Sequence, residues 1–312
     1  MRLYSVCDIV EEKAQKLARD FGAQKIYTDY REMLKDPALD VVSICTPSGM
    51  HGEMAIEAAR AGKHILCEKP LEITKEKLDE MISEVEKSGV KMGCVFQRRV
   101  QPFISKVKKA LEENLFGKVV LAEAYMKDFR SEKYYESAGW RGTWELDGGG
   151  ALMNQSIHGI DLLSWLMGGT AGISAICRTQ RHKIEVEDTA VAIARFNNGA
   201  VGVIEGTTSV YPPQPFRIEI HCTEGSIVFD GSCILLWGTQ PYESSSQKET
   251  DDKENNVSVL KALSHTPLVR DLAEAIETGR EPLIPPGEGR KAVDIILAIY
   301  ESSRTGKEVI LR

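Results

Sequence analysis

Asn154, His158 and Asp161 recur at spacings of four and three within residues 147–161, so on a helix the three side chains share one face. An imidazole mounted there, beside an amide and a carboxylate, could remove and return a hydroxyl proton, the work of a general acid/base near neutral pH. Ile157, Ile160, Leu163 and Met167 supply the apolar side that would bury such a helix against a core. Gly148, Gly149 and Gly150 precede it and permit close backbone approach. Taken alone, the stretch fits either a catalytic histidine or a core histidine satisfied by packing.

The elements that must hold this helix divide the chain in two. In the first part, apolar strand-like runs at 3–7, 41–45, 64–67 and 91–95 alternate with helical patterns at 11–21, 51–61 and 74–88. That alternation predicts a Rossmann-like, doubly wound parallel sheet with right-handed crossovers, whose ligands lie beyond the carboxyl ends of the strands. Those ends carry Asp8, then Thr46-Pro47, then Glu68-Lys69-Pro70, then Gln97. Asp8 could accept bonds from ribose hydroxyls or cap the following helix. Lys69, fixed between a strand end and a proline, could polarise an alcohol oxygen or be a solvated surface lysine.

After a helical pattern at 102–114 and a strand at 119–129, the stretch 134–144 concentrates Tyr134, Tyr135, Trp140, Arg141 and Trp144. Such rings and guanidinium suit a sugar or nucleotide wall, or equally a packed loop or an interface. Beyond Gly168 the pattern changes to short strands at 173–178, 189–196, 200–209, 216–222, 226–230 and 234–237, which predict an antiparallel sheet of about six strands. Residues 240–258 are polar and read as a mobile segment, followed by helices at 268–277 and 288–303 and a last strand at 309–311. The expected organisation is a dinucleotide-binding domain over 1–98 and an α+β substrate and oligomerisation domain over 99–312, its C-terminal helix packing back on the first.

Composition narrows the class. At 312 residues, 42% hydrophobic and 27% charged, the chain has ordinary globular values, and its net charge of -7 opposes nucleic acid or an anionic membrane as partner. No apolar run approaches the roughly twenty residues that cross a bilayer, and residues 1–10 carry no secretory pattern. Seven cysteines form no CxxC pair, which points to reduced thiols in a cytoplasmic protein and no metal site.

Together, residues 41–47 (VVSICTP) with His51, Glu68-Lys69-Pro70, the 148–161 helix, and a parallel-sheet domain placed before an antiparallel one resemble the glucose-fructose oxidoreductase / inositol dehydrogenase (Gfo/Idh/MocA) family across essentially the whole chain. The resemblance implies hydride transfer between a ring carbinol of a sugar, nucleotide sugar or cyclitol and NAD, NADP being less expected. It makes Lys69 and His158 the catalytic pair. It places Asp8, Thr46, Pro47, His51, Glu68, Lys69, Gln97, Trp140 and Arg141 about the cofactor, and Asn154, Asp161, Arg141, Tyr135 and Gln97 about the substrate. Asn154 stands where the family usually has an aspartate, which should leave His158 less basic; Asp161 could orient the imidazole instead. Trp140-Arg141-Gly142-Thr143 and Met153-Asn154-Gln155 resemble the UDP-N-acetylglucosamine and UDP-N-acetylglucosaminuronate 3-dehydrogenase branch, with inositols and simple aldoses also open. Family precedent implies a homodimer or homotetramer through the open sheet face. A non-catalytic sensor of dinucleotide or sugar, and an NAD-dependent glycosidase, are the alternatives on the same fold.

One departure stands out. Gly22, Gly49, Gly52, Gly62 and Gly93 lie too far apart to form the GxGxxG loop that would bind a pyrophosphate, and the chain opens on what resembles the family's second strand. The expectation is a longer gene read from a downstream Met, with a truncated paralogue as the other possibility.

Overall fold

The computed structural model describes residues 1–241 and 256–311, so most of the polar stretch 240–258 lies outside the described residues. In the first part β1 (Ser5–Cys7), α1 (Glu11–Phe21), β2 (Lys25–Tyr27), α2 (Tyr30–Leu34), β3 (Val41–Ile44), α3 (His51–Arg60), β4 (His64–Cys67), α4 (Lys75–Ser88) and β5 (Met92–Cys94) follow in order. All strand pairings here are parallel, as crossover helices require. The strands form two separate sheets, β1-β2 and β3-β4-β5. Strand β2 and helix α2 escaped the sequence reading because three and five residues show too little periodicity to register. Apolar Leu17 and Phe21 on α1 and Ile26 on β2 are exposed.

The second part contains α5 (Pro102–Glu112), β6 (Val119–Lys127), α6 (Glu132–Glu136), α7 (Ile157–Leu166), β7 (Thr170–Arg178), β8 (Thr189–Phe196), β9 (Val201–Thr207), β10 (Arg217–Cys222), β11 (Ser226–Asp230), β12 (Ile234–Gly238), β13 (Gln240–Pro241), α8 (Asn256–Thr278), α9 (Pro286–Thr305) and β14 (Val309–Ile310). The sheet is larger than the six expected strands: among the described residues nine strands run in the order β13-β12-β11-β10-β6-β9-β8-β7-β14. It is mixed rather than wholly antiparallel, because β6 enters between β10 and β9 and runs parallel to β9. Period-two alternation puts Ala190, Ala192, Ala194 and Phe196 of β8 inward and exposes Val191 and Ile193.

Small residues on the inner face let α7 approach. A Cβ at Gly206 would meet Ser156 Oγ at 2.6 Å, and one at Gly159 would meet Met126 Sδ at 2.5 Å. Helix α9 touches β7 and also α4 and β5, and α8 touches β4 and β5, so both parts share apolar packing. Among the described residues, no helix is long and apolar enough to cross a membrane.

Candidate active site

The site helix starts as a wide π-helical turn, Ala151–Ser156, and becomes regular only at Ile157. Such turns tend to re-aim side chains at functional positions. Gly148 adopts a left-handed φ of 72°, and a Cβ at Gly150 would lie 1.8 Å from the Glu187 carbonyl oxygen. The Gly150 and Leu152 amides donate to the buried Glu187 carboxylate at 3.0 and 2.8 Å, and Tyr300 adds a hydroxyl at 3.0 Å. These bonds satisfy amides that the helix start leaves without internal partners.

Burial pushes Glu187 up to about 7 from 4.5, against those same hydrogen bonds. A raised carboxyl takes up a proton on folding, so its contribution to stability is full below pH 4.5 and is lost as pH rises through about 7. The melting temperature of the wild type should therefore fall more steeply over that range than that of Glu187→Gln. Parallel pH profiles would contradict the assignment.

Lys69, at the end of β4, is half-buried, and its Nζ donates to the Asn154 backbone carbonyl at 2.7 Å. Burial lowers its pKa, helped by Arg141 and Arg130 and opposed by Glu68 and Asp147. The His158 imidazole meets the edge of Phe96 with ring centroids 6.2 Å apart. Its Nδ1 is buried with no hydrogen-bond partner. Burial first, then the charges of Lys69 and Arg98, holds the ring well below its usual 6.5. Lys69 and His158 thus come close enough to sense each other's charge although 89 residues separate them in the chain.

Asn154 Nδ2 donates to Asp147 Oδ1 at 2.8 Å, and its Oδ1 accepts from Gln155 Nε2 at 3.1 Å, which leaves the half-buried amide one further N–H and one lone pair. Asp147, which sequence reasoning passed over, is buried, and its other oxygen accepts from the Gly142 amide at 2.9 Å. A carboxylate therefore stands behind the amide.

Asp161 requires a correction. It neither orients His158 nor faces the site: it is buried in a bidentate pair with Arg99, at 2.9 and 2.6 Å. Arg99, from the turn after β5, captures its carboxylate. Removing the carboxylate leaves a buried guanidinium partly unpaired, so Asp161→Ala should cost about 3 kcal/mol. Urea unfolding tests this, and a loss under about 1 kcal/mol would contradict it.

The aromatic stretch folds over the same mouth. Arg141 bonds the Tyr134 hydroxyl and stacks on Tyr134 and Trp140 at 4.2 and 4.7 Å. Arg130 lies over Tyr134 at 5.2 Å and donates to Gln155 Oε1 at 2.7 Å. The Nε atoms of both arginines, like Gln97 Oε1, are buried without partners. Tyr135 points elsewhere, pairing its hydroxyl with Thr208 Oγ1 at 2.8 Å against the His182 ring.

At the strand ends, Asp8 Oδ1 accepts from the Val10 amide at 2.8 Å, so one carboxylate oxygen is engaged in the turn. Thr46 Oγ1 reaches only Met54 Sδ, at 3.4 Å. His51 does not face the cleft: it is buried, with Nδ1 at 2.6 Å from the Pro70 carbonyl and Nε2 at 2.8 Å from that of Thr46. It ties the Thr46-Pro47 and Lys69-Pro70 loops together. Glu68 is partly exposed beside His265, at 3.3 Å.

Residues 1–96 match the model for the oxidoreductase family with an NAD-binding Rossmann fold, and residues 104–228 match that for the GFO/IDH/MocA C-terminal domain. The chain belongs to the GFO/IDH/MocA oxidoreductase family. It is 30% identical over 233 residues to the myo-inositol 2-dehydrogenase of Thermotoga maritima, covering 73% of this chain and 67% of that protein. It is 32% identical over 244 residues to the levoglucosan dehydrogenase of Pseudarthrobacter phenanthrenivorans, covering 70% of this chain and 62% of that one. Among solved structures it resembles the WlbA dehydrogenase of Bordetella pertussis in complex with NADH and UDP-GlcNAcA, with a TM-score of 0.87, 30% identity, and coverage of 99% and 90%. These relatives place the chain among the family's NAD(P)-dependent sugar and cyclitol dehydrogenases.

Proposed function

We propose that the chain oxidises a ring carbinol of a sugar or nucleotide sugar bearing an anionic group, with His158 as acid/base and Lys69 as its electrostatic partner. The observation that carries this reading is the His158 imidazole, whose Nδ1 is buried without a partner and which lies within reach of the Lys69 charge. A neutral imidazole nitrogen can accept the hydroxyl proton, while the ammonium, anchored on the Asn154 carbonyl, stabilises the negative charge that develops on that oxygen. NAD, when bound, supplies the acceptor for the hydride.

The residues fit that cofactor in part. Asp8, Thr46-Pro47, Glu68 and Gln97 lie at or just beyond consecutive strand ends, where a ribose and a nicotinamide would be held, and the buried Gln97 Oε1 needs a donor. The sequence contains no GxGxxG loop of the kind that binds a pyrophosphate. Arg130 and Arg141, each with a buried unpartnered Nε, favour a carboxylate or phosphate on the substrate, since a guanidinium binds both by paired N–H groups. The UDP-GlcNAcA complex of the WlbA dehydrogenase supports the same substrate class. Exposed Ile176, Val191, Ile193 and Val201 on the outer sheet face favour self-association there.

NADH formation with UDP-N-acetylglucosaminuronate, scyllo-inositol, myo-inositol and levoglucosan tests the reading, with the anionic sugar expected to give the highest kcat/KM. If the protein reduces NAD with none of these or other polyols, the dehydrogenase reading fails. The Asp8 carboxylate would repel a 2′-phosphate, so NAD should serve better than NADP. A higher kcat/KM with NADP would contradict that role.

A further inference from the structure

We propose that Glu123 of β6 with Glu219 and His221 of β10 bind one first-row divalent cation, Zn²⁺ fitting best, which staples the two strands together. The site lies on the outer face of the large sheet and shares no residue with the active site. The register sets Glu219 directly opposite Glu123, and His221 lies two residues along on the same face. Like charges directly opposed across strands are unfavourable unless something positive lies between them. His221 Nε2 is 3.5 Å from Glu219 Oε2 and 3.9 Å from Glu123 Oε2. One ligand atom from each of the three residues falls within 4.8 Å of the others. Bonds of about 2.0–2.2 Å to a tetrahedral zinc would set such atoms about 3.3–3.6 Å apart, so only a small closure is needed.

The surroundings separate this cluster from a chance grouping of acids. His221 and Glu219 each have a partner outside the cluster, as bound imidazoles and carboxylates usually do. His221 Nδ1 pairs with Ser226 Oγ at 2.8 Å; if Nδ1–H donates there, the Nε2 lone pair faces the two carboxylates. Arg217 Nε holds the remote oxygen of Glu219, Oε1, at 2.7 Å and leaves Oε2 toward the histidine. One imidazole and two carboxylates form a borderline-hard donor set suited to zinc, with a fourth position for water. Because β6 joins β10 on one side and β9 on the other, a cation here would strengthen the junction between the two halves of the sheet.

The competing arrangement is a protonated His221 that bridges both glutamates with no metal. The untagged full chain, stripped with a chelator, should take up one equivalent of Zn²⁺ by calorimetry, and a hundredfold excess over Kd should raise Tm by a few degrees. Co²⁺ should give a d–d spectrum without the thiolate charge-transfer band that cysteine ligation would produce. His221→Gln and Glu219→Gln should each weaken Zn²⁺ binding at least tenfold. Glu219→Gln keeps size and shape, so it decides the matter if His221→Gln fails to fold. Absence of stoichiometric binding, a thiolate band, or unchanged affinity in the Glu219 variant overturns the proposal.

Discussion

His158→Ala should lower turnover by about two to four orders of magnitude while leaving the melting temperature nearly unchanged, as loss of a positioned general base does. The fold should tolerate the change because the imidazole packs on the edge of Phe96 and its Nδ1 makes no hydrogen bond among the described residues. The pH dependence carries a second signature. Burial and the neighbouring cations hold the imidazole well below 6.5, so it stays deprotonated, and able to accept a proton, as pH falls through that value. The acid limb of kcat/KM should therefore lie below pH 6.5 and disappear in the variant. Turnover within threefold of the wild type would remove His158 from the mechanism.

Lys69→Met should lower kcat by about two to three orders of magnitude, the scale on which a preorganised positive group stabilises developing negative charge. Methionine keeps the length of the stem, so the packing at the end of β4 survives and the loss reports the charge. Steady-state kinetics and a thermal melt separate the two effects. A rise in KM at constant kcat would mean that Lys69 only binds substrate. The lowered pKa of the ammonium, caused mainly by burial, also means that its proton is held less tightly than that of a surface lysine.

The proposed catalytic pair was singled out in the sequence because each member carries a local mark: a lysine between a strand end and a proline, and a histidine on a helix after a glycine run. The same local logic misassigned Asp161, whose spacing from His158 looked purposeful. Its partner, Arg99, stands 62 residues away in a turn after β5, and only folding brings them together. Asp147 was overlooked for the opposite reason. It sits in an unremarkable position before the glycines and acquires a role only when the π-helical turn swings Asn154 onto it. Glu187, which caps the site helix from a loop before β8, gave no periodic or motif signal at all.

The same division holds for the architecture. Alternating strands and helices in the first part, and period-two runs in the second, determined the sequence reading of a parallel sheet followed by an antiparallel one, because both periodicities are local properties of the chain. Strand order is not. That β6 lies between β9 and β10, parallel to one and antiparallel to the other, is a matter of pairings between segments far apart in the chain. That placement also sets Glu123 against Glu219, 96 residues on, and brings His221 to them. The sequence by itself determined which residues could do chemistry and which elements would carry them. The tertiary structure decided which of those residues meet, since desolvation, charge pairing and strand register act between groups that the chain order leaves far apart.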